Sequence, residues 1–326
     1  MSLDYGVDAA FADLVAARLE SIESRLRESA FARTPFVTDA AAHIINAGGK
    51  RFRPLLVVLA SELYPGADPD AVDRAAMVVE LTHVASLYHD DVMDEAELRR
   101  GAVSANQRYG NSVAIMIGDF LFARASSIVA TLGTDYVALQ ADTFARLVQG
   151  QIAETRGPED EDDALAHYLG VVADKTGSLI ATSAAFGGMV AAAPPEVLAA
   201  LGAYGEEIGV VFQLSDDIID IASDVTGKTP GTDLREGVST LPTLMARAST
   251  DPSDERLRQL LSGSIEDADE LAEALALMRA HPALAEARAE ISRRADLAKA
   301  HLAPLPEGEA KNALLALCDQ VVQRSA

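Results

Sequence analysis

The 326-residue chain has no tryptophan, a single cysteine at Cys318, and only 27 lysines and arginines against 50 aspartates and glutamates. One cysteine excludes an intrachain disulfide and any cysteine-based metal centre, and it fits a reducing compartment. A net charge of −23 argues against sequence-independent binding to nucleic acid or to an anionic membrane surface. No run of about 18 or more apolar residues reads as a bilayer span. The opening Met1-Ser2-Leu3-Asp4 lacks the basic and apolar regions of a signal peptide. These absences predict a cytoplasmic protein with no transmembrane segment and no nucleic-acid partner.

What the chain does have is a helix former's composition. Hydrophobic residues reach 49% with aromatics at only 5%, and alanine, leucine, valine and glutamate dominate the rest. Apolar spacing predicts helices over Ala9 to Ser29, Thr38 to Ala47, Leu55 to Leu63, Pro69 to about Leu98, Ser112 to Leu132, Ala138 to Glu154, Leu165 to Gly187 and Pro195 to Ala222. Acidic Pro158 to Asp163 reads as a solvated loop, and Ser223 to Pro242 as the longest loop, of the kind that serves as a lid. No hairpin signal, fixed repeat or linker stands out, so residues 1–326 are expected to form one all-α domain.

Two segments, His89-Asp90-Asp91-Val92-Met93-Asp94 and Ser215-Asp216-Asp217-Ile218-Ile219-Asp220, share the pattern Asp-Asp-x-x-Asp inside apolar helices. Residues four apart lie on one helix face, so Asp90 pairs with Asp94, and Asp216 with Asp220. Such pairs repel unless a cation lies between them. Carboxylates without thiolates select a hard, oxygen-seeking ion, and magnesium is the natural candidate. Neither cluster has the glycine and final glutamate of an EF-hand loop, and neither has the Glu-x-x-His pairs of a di-iron bundle.

In a chain poor in cations, Lys50, Arg53, Arg99, Arg100, Lys175 and Lys228 stand beside glycines or helix ends, where backbone amides add to phosphate binding. His83 lies on the face of the first aspartate pair, about two turns earlier. No Walker or dinucleotide motif accompanies these residues, and no nucleophile or triad emerges. The residues alone therefore describe a magnesium-dependent enzyme acting on a diphosphate within apolar helices, by ionisation or by hydrolysis.

Gly48-Gly49-Lys50-Arg51-Phe52-Arg53-Pro54, the first aspartate motif with Arg99-Arg100-Gly101, Lys175-Thr176, and Phe212-Gln213 leading into the second aspartate motif together resemble the all-trans polyprenyl diphosphate synthases, in register from about residue 8 to Arg324. The resemblance implies an isoprenoid synthase helical bundle around a central cavity, usually a homodimer, joining an allylic diphosphate to isopentenyl diphosphate. It assigns Asp90, Asp94 and Asp216 to three magnesium ions on the allylic diphosphate, with Asp91 and Asp220 in support. Arg99, Lys175 and Lys228 would bind that diphosphate. Lys50, Arg53, His83 and Arg100 would bind isopentenyl diphosphate, and Thr176 and Gln213 would face the forming cation.

Small residues at Ala85 and Ser86, where short-chain relatives often place aromatics, imply a deep product tunnel. Its floor would then be set elsewhere, with Met116, Phe120 and Phe122 as candidates. The expected product is of hepta- to nonaprenyl length. The alternatives are a geranylgeranyl diphosphate synthase, a terpene cyclase and a non-catalytic subunit of a heteromeric synthase.

Overall fold

The computed structural model describes residues 6–159, 162–222 and 230–324. Lys228 lies outside the described residues, as does part of the acidic stretch, Asp160-Glu161. The described chain is helical apart from one small hairpin. It runs α1 (Ala9–Ser29), α2 (Pro35–Asn46), α3 (Phe52–Ser61), α4 (Pro69–Met93), hairpin β1 (Leu98–Arg99) with β2 (Ala102–Val103), α5 (Ala105–Tyr109), α6 (Asn111–Val129) and α7 (Thr134–Arg156). Next, α8 (Ala164–Val172) passes through a π-helical turn, Ala173–Gly177, into α9 (Ser178–Val190) and then α10 (Pro195–Ala222). The remainder comprises α11 (Thr232–Glu236), α12 (Leu241–Arg247), α13 (Glu255–Leu260), α14 (Ala268–Ala280), α15 (Pro282–His301) and α16 (Glu309–Gln323). Two compact units share these helices: Met1–Phe144 with Leu179–Gly202 and Pro304–Leu314, and Ala145–Ser178 with Ala203–Ala303 and Leu315–Ala326.

In the first unit, α3 is buried on every side, with Leu56, Val57, Val58 and Leu59 without exposed surface, so its sequence is apolar throughout rather than amphipathic. Polar caps fix the entries of its neighbours. The Asp8 carboxylate accepts from the Phe11 amide at 2.8 Å at the start of α1, and Asp68 precedes Pro69 at the start of α4. Helix α4 packs on α6 at close range through Gly118, where a Cβ would lie 2.3 Å from the His89 ring and 3.1 Å from the Ala85 carbonyl. In the second unit, α12 packs against α8 and α15, and α14 against α13 and α15.

Three features depart from the sequence expectation. Helix α4 ends at Met93 rather than near Leu98, because Glu95 turns left-handed at φ 49° and the chain folds back. The reversal is the β1–β2 hairpin, whose two turn residues, Arg100 at φ 54° and Gly101 at φ 78°, have the left-handed pair that a two-residue hairpin needs. Strands of two residues carry no alternation for a sequence reader to find. The 165–187 segment is interrupted by the π turn, and the supposed loop from Ser223 to Pro242 contains α11 and the start of α12.

By length and hydropathy alone, helices α6 and α10 would reach across a bilayer, and 33% and 56% of their apolar windows are buried within the protein, as in the core helices of a globular fold. The inner face of α6 (Ala114, Ile117, Leu121, Ala125) is buried, while Ile115 and Met116 face outward.

Cys318 in α16 has no exposed surface, and burial pushes its thiol up to about 12. It should resist a disulfide reagent at pH 8 in the native protein and react fully once the chain is unfolded. Rapid labelling of native protein would show that α16 is not packed in this way.

Candidate active site

The cations of the first unit gather around one carboxylate. Gly48 follows the C-cap of α2 at Ala47, and its φ of 86° suits a residue without a side chain. At Gly49 the missing Cβ leaves room for the Arg100 guanidinium, which would otherwise lie 2.9 Å from it. Arg100 donates to the carbonyls of Gly48 and Ile44. Arg51 adopts a left-handed backbone at φ 50°, a conformation disfavoured for any residue with a Cβ, and its side chain is held in place by donation to Glu23 at 2.6 Å, Glu80 at 2.8 Å and the Ile45 carbonyl at 2.9 Å. Burial opposes the Arg51 charge, but the two glutamates outweigh it and raise its pKa.

Glu80 is 2% exposed and also lies 3.9 Å from Arg100. Arg53, in the first turn of α3, has a buried Nε with no hydrogen-bond partner, and burial pulls its guanidinium down to about 10, still charged at neutral pH. His83 lies one turn beyond Glu80 on α4. Burial first, then the charges of Arg53, Arg100, Arg99 and Arg51, hold its imidazole well below 6.5, so it is neutral at physiological pH. Three guanidiniums against Glu80, with Glu23 taking a share of Arg51, leave an excess of positive charge and an unsatisfied donor. An incoming phosphate would supply what is missing.

The first aspartate motif ends α4. Asp91 has no exposed surface; it accepts from Arg99 Nε at 2.6 Å and from the Ala105 amide at 3.0 Å, tying the hairpin and α5 back onto the helix. Asp94 is the C-cap residue, its side chain is 47% exposed, and Arg99 reaches it at 3.9 Å. Asp90 and Asp94 are one turn apart, joined by the Asp94 amide and the Asp90 carbonyl at 2.8 Å. The helix C-terminus adds partial negative charge to theirs. Ala85 is fully buried and Ser86 nearly so, its hydroxyl donating to the His83 carbonyl at 2.8 Å. Phe122 lies between the His89 ring, at 5.9 Å, and the Phe144 ring, at 4.3 Å.

In the second unit the π turn widens the backbone at Lys175 and Thr176, a distortion frequent at functional sites. Lys175 pairs with Glu154. Thr176 donates to Gln213 Oε1 at 3.4 Å, and Gln213 Nε2 donates to Asp217 at 3.1 Å. The Tyr168 hydroxyl donates to the other Asp217 oxygen. Burial raises Asp217 to about 6 against the pull of these donors, with the Asp216 charge adding to the rise, and burial with the Asp217 charge keeps the Tyr168 hydroxyl protonated. Asp216 meets Arg324 at 2.5 Å, and that guanidinium also lies 4.7 Å above the Phe212 ring. Asp220 accepts from the amides of Thr232 at 3.2 Å and Asp233 at 3.1 Å at the start of α11.

Each carboxylate of the second motif thus has a separate polar partner. Among the described residues no three His, Cys, Asp or Glu side chains converge as a ready-made metal cage. The donors are all carboxylates, one or two per turn, which fits a hard divalent cation completed by water and substrate phosphate oxygens.

A family model described as polyprenyl synthetase matches residues 34–278. The chain belongs to that family. It is 47% identical over 319 residues, 97% of this chain and 95% of the relative, to a nonaprenyl diphosphate synthase of Mycobacterium tuberculosis. A geranylgeranyl pyrophosphate synthase from Corynebacterium glutamicum, crystallised with calcium and isoprenyl diphosphate, shares 44% identity and a TM-score of 0.87 over 98% of both chains. A polyprenyl synthase from Caulobacter crescentus, crystallised with the same two ligands, superposes with a TM-score of 0.90 at 32% identity, covering 100% of this chain and 98% of its own.

In the first unit the sequence-predicted residues Arg53, Arg100 and the neutral His83 lie near one another, with Arg99 at their edge. Sequence reading gave no role to Glu80 or Arg51 in the first unit, nor to Tyr168 or Arg324 in the second. Glu80 left a signal, a lone carboxylate in the apolar run Met77 to Leu81 one turn before His83. Tyr168 and Arg324 left none, since their partners are 49 and 108 residues away.

Because the native His83 refuses a proton that the unfolded chain accepts, native stability falls as pH drops below 6.5. Replacing His83 by Gln should flatten that part of the profile. Urea midpoints at pH 7.5 and 5.5 provide the check, and an unchanged slope would contradict a neutral buried His83.

Proposed function

We propose that the protein is a trans-polyprenyl diphosphate synthase, condensing an allylic diphosphate with successive isopentenyl diphosphates to a hepta- to nonaprenyl product. The observation that carries this reading is the cluster of guanidiniums around Glu80, with its unpartnered Arg53 Nε. A terpene cyclase, which binds one diphosphate at its carboxylates, has no use for a second anion site of this kind. Residues 1–326 act as one catalytic domain, since the family match is continuous while both compact units are assembled from separate spans. A homodimer located in the cytoplasm belongs to the same proposal.

Asp90, Asp94 and Asp216 would hold the expected three magnesium ions with the allylic diphosphate, and Asp91 and Asp220 would support them. Once bound, the ions stabilise the charge that grows on the departing diphosphate. Arg99, Lys175 and Lys228 bind the same group; Lys175 gives up Glu154 to do so. Lys50, Arg53, His83 and Arg100 bind isopentenyl diphosphate, and a neutral His83 offers a donor without adding charge. The oxygens of Thr176 and Gln213 face the allylic cation. Apolar helices exclude the water that would quench it. Isopentenyl diphosphate attacks through its double bond, and the released diphosphate accepts the proton, so no protein base is required.

Small side chains at Ala85 and Ser86 support the longer product, as does the nonaprenyl synthase relative. A second reading, a synthase stopping at the geranylgeranyl length, is favoured by the full burial of Ala85 and by the Corynebacterium relative. Chromatography of products from farnesyl diphosphate, isopentenyl diphosphate and magnesium decides between them. Wild type should yield hepta- to nonaprenyl chains, and Ala85→Phe or Ser86→Phe shorter ones. Termination of wild type at geranylgeranyl would overturn the chain length, and no condensation at all would favour a non-catalytic subunit.

A further inference from the structure

We propose that Tyr168 is a positioning residue for the condensation: it clamps Asp217 inward and, through Asp217, fixes which end of the Gln213 amide faces Thr176. The inference rests on the synthase reading above, and every contact in it lies within the second unit.

Asp217 is the middle residue of the second aspartate motif and is 3% exposed. One carboxylate oxygen accepts from the Tyr168 hydroxyl and the other from Gln213 Nε2 at 3.1 Å. The Leu241 amide at the start of α12 also donates to it. Buried and engaged on both oxygens, Asp217 offers no face to an ion. It serves as a brace where α8, α10 and α12 meet, and it leaves Asp216 and Asp220 as the partly exposed carboxylates of the motif.

The consequence for Gln213 follows from donor and acceptor chemistry. An ionised carboxylate only accepts, so the end of the amide beside Asp217 has to be its NH2. The carbonyl oxygen is then turned the other way, toward Thr176 Oγ1 at 3.4 Å. Were the amide reversed, an NH2 group would sit on the Thr176 side, and its positive dipole end would oppose an allylic cation. An oxygen there favours the cation. The Tyr168 hydroxyl matters because it holds Asp217 in the rotamer that keeps its second oxygen on Gln213. Without it, the carboxylate turns toward its remaining donors and the amide loses its fixed sense.

Tyr168→Phe removes only the hydroxyl, and Asp217→Asn keeps the shape while letting the amide reverse. For both variants we expect kcat to fall about tenfold or more, with KM for isopentenyl diphosphate and the melting temperature near wild type. In a Gln213→Leu background, Tyr168→Phe should have little further effect on the residual rate. A readout independent of turnover comes from metal-free protein labelled with 15N at glutamine. There the Gln213 side-chain amide protons should exchange slowly with water in wild type and rapidly in Tyr168→Phe. Wild-type kcat in Tyr168→Phe, a rate loss that multiplies fully with Gln213→Leu, or unchanged amide exchange would overturn the inference. Absence of condensation by wild type would instead remove the synthase reading on which it rests.

Discussion

Like charges forced together in a poorly solvated environment repel, and the arrangement of this protein around its reactive groups answers that constraint. Arg51, Arg53 and Arg100 are brought close to one another, and Glu80 and Glu23 offset them. Removing one partner from a buried pair such as Arg51 and Glu80 costs about 3–5 kcal/mol, because the other charge is left without compensation. The left-handed backbone of Arg51, the glycines before it and the hairpin that delivers Arg100 are local consequences of holding these cations together. In the second unit the problem has the opposite sign, and Asp216, Asp217 and Asp220 are each settled by separate donors.

The resting contacts therefore resemble placeholders for the reacting groups. Arg324 stands against Asp216 and Glu154 against Lys175, each supplying the charge that an ion or a phosphate brings in the proposed complex. Glu80 differs, since its burial and its hold on Arg51 mark it as permanent framework. An acidic chain can bind two anionic substrates because its positive charge is concentrated, and the surplus of negative charge elsewhere, in a chain of net charge −23, does not reach far through physiological salt.

Much of this was legible in the sequence. Helical periodicity located the long helices, and the aspartate motifs with Lys50, Arg53, Arg99, Arg100 and Lys175 marked the charged groups, since these signals are local. The hairpin was not legible, because two-residue strands have no pattern, and neither was the π turn, which leaves apolar spacing nearly unchanged. Tyr168 and Arg324 could not be found because their roles depend on packing between distant segments. Ala85 shows the converse: its small size is plain in the sequence, but its burial against Gly118 appears only in the packing of α4 on α6.

In the proposed complex the carboxylates of the two motifs bind divalent ions together with a diphosphate rather than alone. Manganese binding followed by electron paramagnetic resonance, with and without inorganic diphosphate, tests it most directly. Wild type should bind manganese tightly only when diphosphate is present, and Asp90→Asn and Asp216→Asn should each weaken that joint binding roughly tenfold or more. Equal binding by wild type and both variants, or tight binding that ignores diphosphate, would contradict the account.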